Sequence, residues 1–145
     1  MSRKPLVLIV DDEMDVVLTL RAALHQDRFR TAIATDGESA LRLVEEFRPE
    51  IVLLDLMMPM IDGWSVIESL AKRPTRPGLV VVSARTSPID IALAYRLGAD
   101  GYITKPFTFE TLTNTITEVH DRSDESRNRH REHVLRELSS TLLAD

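Results

Sequence analysis

The stretch that decides the predicted fold is IVLLDLMMPMIDG, residues 51–63. Its first four residues form a continuous apolar run, which is typical of a strand covered on both faces of a parallel sheet. Asp55 follows this run at once, and Asp62 is placed to cap a helix. A lone aspartate after a strand is usually a turn or cap residue, so the rest of the chain decides whether Asp55 has another role.

Short apolar runs alternate with helical patterns through the first 120 residues. The strand-like runs are LVLIV (6–10), RTAIA (30–34), IVLL (51–54), LVVVS (79–83) and GYIT (101–104). A series of strand–helix units predicts an α/β fold, with a parallel sheet and helices on both of its faces.

Helical periodicity between and after these runs predicts five helices, each with one apolar face. Asp36, Asp62 and Thr108 suit the N-caps of the second, third and fifth helices, and Gly98 suits the end of the fourth. Pro49 is expected to end the second helix. The expected inward residues, in helix order, are Val17, Leu20 and Leu24; Ala40, Leu41, Val44 and Phe47; Val66, Ile67 and Leu70; Ile91, Ala94, Tyr95 and Leu97; and Leu112, Ile116 and Val119.

Polar side chains stand at the ends of several predicted strands. Asp11 and Asp12 follow the first strand, Asp55 the third, Ser83 ends the fourth, and the fifth leads to Lys105. The carboxyl ends of parallel strands share one edge of the sheet, where ligands bind. Each residue alone has an ordinary explanation, but the ordered set predicts one site.

The chemistry of this set suits phosphoryl transfer. Three close carboxylates repel one another, so a cation has to offset their charge. Oxygen ligands suit Mg²⁺, and Lys105 supplies a second positive charge. One of the carboxylates can then act as the nucleophile.

The composition limits the possible functions. The chain has 145 residues, a net charge of −5 and no cysteine. These values exclude disulfides and thiolate metal sites and give no general reason to expect contact with nucleic acid. No apolar run has the length of a signal peptide or a membrane span, so we expect a cytoplasmic protein without membrane contact.

The segments VLIVDDE, LLDLMMPMIDG, VVSA and GADGYITKPF together resemble the receiver domain of bacterial two-component response regulators. The resemblance covers residues 4–120 and implies the flavodoxin-like (βα)5 fold, a doubly wound parallel sheet with strand order 2-1-3-4-5. Residues 121–145 then form a C-terminal helical extension, either a dimerisation helix or a linker to an effector.

The resemblance also implies a role for each residue of the site. Asp55 would be the phosphoacceptor. Lys105, followed by a cis peptide bond, would pair with the phosphoryl group. Asp11, Asp12 and Asp55 would hold Mg²⁺ together with the backbone carbonyl of Met57.

Ser83 and Tyr102 occupy the two switch positions of the family. Ser83 would hydrogen-bond a phosphoryl oxygen and move inward. Tyr102 would rotate into the vacated space and change the surface formed by the fourth helix, the fifth strand and the fifth helix. Met57 cannot position an attacking water and Arg85 adds bulk and charge, so we expect a long-lived phosphoryl group.

The implied function is a signalling switch and not an enzyme, with self-phosphotransfer and autodephosphorylation as its only reactions. A histidine kinase or phosphotransfer protein would supply the phosphoryl group, and altered protein–protein contacts would carry the output. Alternatively, the chain is the receiver of a longer regulator with a DNA-binding or enzymatic effector. A Mg²⁺-dependent aspartyl-phosphate phosphohydrolase is disfavoured because Met57 replaces the second aspartate of that class, and a flavin-binding flavodoxin because the carboxylates would repel a phosphate.

The composition changes in residues 121–145, which are first polar and then amphipathic. Because the apolar residues fit one helical stripe, we expect a homodimer through the fifth helix and its extension. Three histidines, His120, His130 and His133, could form a metal site, but their polar flanks favour a solvated helix face. The residues of the stripe are Val134, Leu135, Leu138 and Leu142.

Overall fold

A computed structural model describes residues 4–26, 29–58 and 62–143 of the chain, with side chains described as far as Leu142. Residues 59–61 of the predicted loop and residues 144–145 of the predicted extension lie outside the described residues. The strands are β1 (Leu6–Val10), β2 (Arg30–Ala34), β3 (Ile51–Asp55), β4 (Gly78–Ser83) and β5 (Gly101–Thr104). The helices are α1 (Met14–Gln26), α2 (Gly37–Phe47), α3 (Gly63–Ala71), α4 (Pro88–Leu97), α5 (Phe109–Asp121) and α6 (Asp124–Leu143).

The strands form one parallel sheet in the order β2-β1-β3-β4-β5, which confirms the predicted flavodoxin-like architecture. Every residue of β1, β3 and β4 is buried, because helices cover both faces of these central strands. One core lies between the sheet and α2, α3 and α4, and the other lies between the sheet and α1 and α5. The continuous apolar runs therefore correspond to the centre of the sheet.

The predicted helix caps are confirmed. The side chains of Asp36, Asp62 and Thr108 accept hydrogen bonds from backbone N–H groups in the first turns of α2, α3 and α5. Gly98 follows α4 with a φ of 128°, in the region that favours glycine. The capping residues in the sequence therefore predicted where these helices begin or end.

The predicted burial of Phe47 is wrong, since 54% of this residue is exposed. Phe47 is the last residue of α2, and Arg48 takes the left-handed conformation (φ 48°) before the buried Pro49. The chain turns towards β3 at that point, so the apolar face of α2 ends one turn earlier, at Val44. Leu41 in the same helix is half-buried.

Two residues separate α5 from α6, and α6 packs against α4, an arrangement that the sequence did not predict. In the predicted apolar stripe, Val134, Leu135 and Leu138 are half-buried, and Leu142 is 45% exposed. The same chain therefore covers part of a surface that was expected to pair with a second copy. Within the described ranges, no helix has both the length and the apolar content that crossing a membrane requires.

Gly63 provides a test of the tight packing between the end of β3 and α3. A Cβ at this position would lie 2.7 Å from the Cα of Leu56, a backbone atom that cannot easily move aside. We expect Gly63→Ala to lower the free energy of unfolding by about 2 kcal/mol, measured by urea denaturation. At the control position Gly101, a Cβ would have a side-chain atom, the methyl of Thr115 at 3.1 Å, as its nearest neighbour. Gly101→Ala should therefore cost less than about 1 kcal/mol, and equal losses in the two variants would contradict this account.

Candidate functional site

The register of the sheet brings the predicted site residues to one edge. The pairing of β1 with β3 places Asp11 and Asp55 at the same level. β4 ends at Ser83, one residue past its pair with Asp55, and β5 ends at Thr104, directly before Lys105. The predicted convergence of these side chains therefore follows from strand order and register alone.

Three carboxylates form the centre of the site. Oxygen atoms of Asp11, Asp12 and Asp55 all lie within 4.8 Å of one another. Asp11 is 2% exposed and Asp55 is 4% exposed, whereas Asp12 is half-buried. Backbone N–H groups hold the two buried carboxylates in place, from Glu13 to Asp11 at 3.0 Å and from Met57 to Asp55 at 2.9 Å. This set of hard oxygen donors fits a divalent cation such as Mg²⁺.

The carboxylates repel one another, and Lys105 offsets part of this repulsion. The Nζ atom of Lys105 lies 3.4 Å from Asp55 Oδ2 and 3.8 Å from Asp11 Oδ2. Burial raises the pKa of Asp11, and the nearby charges of Asp55 and Asp12 raise it further. The N–H of Glu13 and the ammonium of Lys105 act in the opposite direction. The site thus keeps an excess of negative charge that a cation would neutralise.

Arg85 links the predicted switch residues to α4. Ser83 is fully buried, and its Oγ accepts a hydrogen bond from the Arg85 N–H at 3.1 Å. The hydroxyl of Tyr102 donates to the Arg85 carbonyl at 2.8 Å, and burial raises the pKa of this hydroxyl. The guanidinium of Arg85 lies 3.6 Å from the carboxylate of Asp90 in the first turn of α4. Ser83, Tyr102 and α4 therefore share one residue.

The side chains of Met57 and Arg85 meet beside the carboxylates. The Nε of Arg85 donates to the sulfur of Met57 at 3.3 Å, and Met57 is 54% exposed.

A backbone hydrogen bond holds Lys105 in place, because the Lys105 N–H donates to the Ser83 carbonyl at 2.8 Å. The peptide bond between Lys105 and Pro106 is cis, as the resemblance implied.

A buried ion-pair cluster around Asp100 escaped the sequence analysis. Asp100 is 1% exposed, and its carboxylate accepts hydrogen bonds from Arg76 at 3.0 Å, from the Leu79 N–H at 2.9 Å, and from Arg131 of α6. The available signal was an aspartate between the alanine and glycine of GADG, directly before β5. Its arginine partners are 24 and 31 residues away in the sequence, so local patterns did not reveal them.

The three histidines of the C-terminal region do not share one environment. His130 is half-buried, and its ring meets that of Tyr95 edge-on with 6.2 Å between the ring centroids. The predicted solvated position is therefore wrong for His130. His120 is also half-buried, and only His133 of the three is exposed as predicted. Among the described residues, the side chains that are grouped closely enough to hold a metal ion are the carboxylates of the site.

Comparison with known proteins identifies the class to which this fold and site belong. Residues 7–117 match the family model of the response regulator receiver domain. The chain belongs to this family: it contains a response regulator receiver domain. Domains of this family bind Mg²⁺ at an aspartate cluster, and this chain has such a cluster at the expected edge of the sheet.

Individual relatives agree with this assignment. The chain is 41% identical over 112 residues to the transcriptional regulatory protein PrrA of Mycobacterium tuberculosis, covering 77% of this chain and 48% of PrrA. It is 32% identical over 118 residues to the alkaline phosphatase synthesis transcriptional regulatory protein PhoP of Bacillus subtilis, covering 81% of this chain and 49% of PhoP. The chain thus spans about half the length of these curated relatives. The solved receiver domain of the Francisella response regulator 1452 has a TM-score of 0.77 and 28% identity, covering 81% of this chain and 98% of that one.

Repulsion among the carboxylates predicts an unusual response to substitution of Asp12. Removing this charge relieves the other two carboxylates, so in EDTA we expect Asp12→Asn to raise the free energy of unfolding by roughly 1 kcal/mol. Asp15→Asn is the control, because Asp15 is an exposed acid in the first turn of α1. Asp15→Asn should lower the free energy of unfolding by about 0.3 kcal/mol, because it removes a favourable interaction with the dipole of α1. Urea denaturation measures both, and destabilisation by Asp12→Asn in EDTA would contradict this electrostatic account.

Proposed function

We propose that this receiver domain is a phosphorylation-activated signalling switch with Asp55 as its phosphoacceptor. The observation that carries the proposal is the environment of the Asp55 carboxylate. It is nearly fully buried, held by the Met57 N–H, 3.4 Å from Lys105, and within 4.8 Å of two further carboxylates. A nucleophile fixed next to a cation and a candidate Mg²⁺ site suits phosphoryl transfer.

In the proposed reaction, an Asp55 carboxylate oxygen attacks the phosphorus of a phosphohistidine on the donor protein. The new P–O bond forms as the P–N bond to the imidazole breaks, and the leaving imidazole nitrogen takes a proton from solvent. Lys105 offsets the charge on the phosphoryl oxygens. Asp11, Asp12, Asp55 and the Met57 carbonyl would hold Mg²⁺, which would supply the remaining positive charge.

The proposed response to phosphorylation begins at Ser83. The Ser83 Oγ now accepts a hydrogen bond from the Arg85 N–H. A phosphoryl oxygen gives the Ser83 hydroxyl a charged acceptor for its own proton, so the hydroxyl turns towards it. The Arg85 N–H then loses its acceptor, and Tyr102 leaves the Arg85 carbonyl. Shifting a switch from 1:99 to 99:1 requires about 5.5 kcal/mol. Three charge-assisted hydrogen bonds of roughly 2 kcal/mol each are sufficient.

The donor that we propose is a histidine kinase or a phosphotransfer protein, because the chain is a receiver domain. Residues 4–120 would form the receiver and residues 121–145 the extension. Because the match spans only about half of each named relative, the second candidate is the receiver of a longer regulator with an effector outside this sequence. A homodimer, a cytoplasmic location and the lack of nucleic-acid contact stay predictions.

The phosphoacceptor can be tested with acetyl phosphate and Mg²⁺. We expect the unaltered chain to gain one phosphoryl group and Asp55→Asn to gain none, read by intact mass and by phosphate-affinity gel shift. Asp15→Asn, which changes an exposed acid in the same way, should label like the unaltered chain, and EDTA should prevent labelling of both. Mg²⁺-dependent labelling of Asp55→Asn at another residue would overturn the assignment.

The contact between Met57 and Arg85 predicts a long-lived phosphoryl group. Met57→Asn places an amide beside Asp55 that can orient a water molecule, so we expect the half-life to fall by about tenfold or more. Met57→Leu keeps the site apolar and should leave the half-life unchanged. The decay of the phosphorylated form, followed by gel shift after removal of acetyl phosphate, measures all three proteins. Loss of the phosphoryl group from the unaltered chain within seconds, with no phosphatase present, would contradict the prediction.

A further inference from the structure

Two arginines, the buried Arg127 and the half-buried Arg131, hold α6 to the receiver core. Arg127 is 8% exposed, and its Nε donates to the Val119 carbonyl of α5 at 2.9 Å. Arg131 donates to the carboxylate of Asp100. The same carboxylate accepts from the Leu79 N–H of β4, at the centre of the molecule. This end of α6 is therefore attached to α5 and to Asp100, both of which lie outside α4.

The same face of α6 also lies on α4. The ring of His130 contacts the ring of Tyr95 in α4. Tyr95 is only 8% exposed, although α4 lies at the periphery of the sheet. Val134 and Leu138 follow at helical spacing and are half-buried. α6 thus spans two supports, the polar anchor around Asp100 and the outer surface of α4.

α4 is the support that is positioned to move. Two of its residues, Ala94 and Tyr95, are buried, whereas Ile89 in its first turn is 64% exposed. That first turn is linked to the phosphorylation site, because Asp90 pairs with Arg85. Arg85 in turn binds Ser83 and Tyr102, the two residues of the proposed switch.

We propose that α6 is the output element of this receiver: it is docked on α4 when Asp55 is unphosphorylated, and it is released from α4 when Asp55 carries a phosphoryl group. The inference rests on the proposed function. When Ser83 and Tyr102 lose their hydrogen bonds to Arg85, Arg85 moves. The first turn of α4 moves with Arg85, because Asp90 pairs with its guanidinium. The anchor at Asp100 stays with the sheet, so α6 cannot keep both sets of contacts, and the contacts with α4 are lost.

Thermodynamic reciprocity extends the proposal to the site itself. If a phosphoryl group weakens the docking of α6, then docked α6 weakens binding of a phosphoryl mimic by the same factor. Chains with undocked α6 should therefore bind beryllofluoride more tightly, although the altered residue lies in α6, outside the carboxylate site.

The docking contact is tested by hydrogen–deuterium exchange of the full chain. Arg131→Gln removes the charge that binds Asp100, so amides of residues 124–143 should exchange about tenfold faster. Arg136→Gln makes the same change at an exposed position of the same helix and should leave exchange unchanged. Val134→Asp, which places a charge on the docked face, is a second variant that leaves the Asp100 cluster intact and should act like Arg131→Gln. Unchanged protection of α6 in both Arg131→Gln and Val134→Asp would overturn the docking.

The coupling is tested in the same experiment with Mg²⁺ and beryllofluoride. Peptides covering residues 51–58 report binding at the site, and peptides covering residues 124–143 report α6. We expect binding to slow exchange in the first group and to speed exchange of α6 by roughly fivefold or more. Arg131→Gln should bind beryllofluoride more tightly by a similar factor, and Arg136→Gln should not. Asp55→Asn should change neither group.

The outcomes separate the two proposals. Protection at residues 51–58 with unchanged or slower exchange in α6 would overturn the release of α6 and leave the proposed function intact. No protection at residues 51–58 would overturn the proposed function and the coupling together. In that case a loss of α6 protection in Arg131→Gln would still establish the docked helix.

Discussion

The site depends on holding three carboxylates together against their mutual repulsion. A parallel sheet does this because its register fixes the ends of adjacent strands at one level, and apolar helices on both faces keep β1 and β3 rigid. Lys105 and two backbone N–H groups offset part of the cost. The remaining imbalance favours the binding of a cation and, with it, of a phosphoryl group.

Arg85 is the residue that connects this edge of the sheet to the first turn of α4. Its backbone binds both Ser83 and Tyr102, and its guanidinium reaches Met57 on one side and Asp90 of α4 on the other. In the proposed switch, a change in the hydrogen bonding of Ser83 would pass through Arg85 to the first turn of α4. Because the path consists of adjacent bonded groups, it requires no distortion of the sheet.

Local signals in the sequence predicted the strands, the helix caps and the residues at the edge of the sheet, because each depends on neighbours within a few positions. The failures have a different origin. Phe47 fits the helical period but lies where α2 ends, and Asp100 finds its arginines far along the chain. The stripe of α6 shows which face of the helix is apolar, but a period cannot show which helix covers it. The sequence therefore did not predict that this face packs against the chain's own α4, and the homodimer stays a prediction.

The spacing of Arg127 and Arg131 defines what a helix needs in order to occupy this position on the receiver. The two groups that receive these arginines, the Val119 carbonyl and the Asp100 carboxylate, both belong to the receiver. A different helix could occupy the same place if it carried arginines four residues apart after a two-residue break. This receiver thus provides two fixed acceptors for a helix of that spacing, and exchange of the helix would leave the residues of the carboxylate site unchanged.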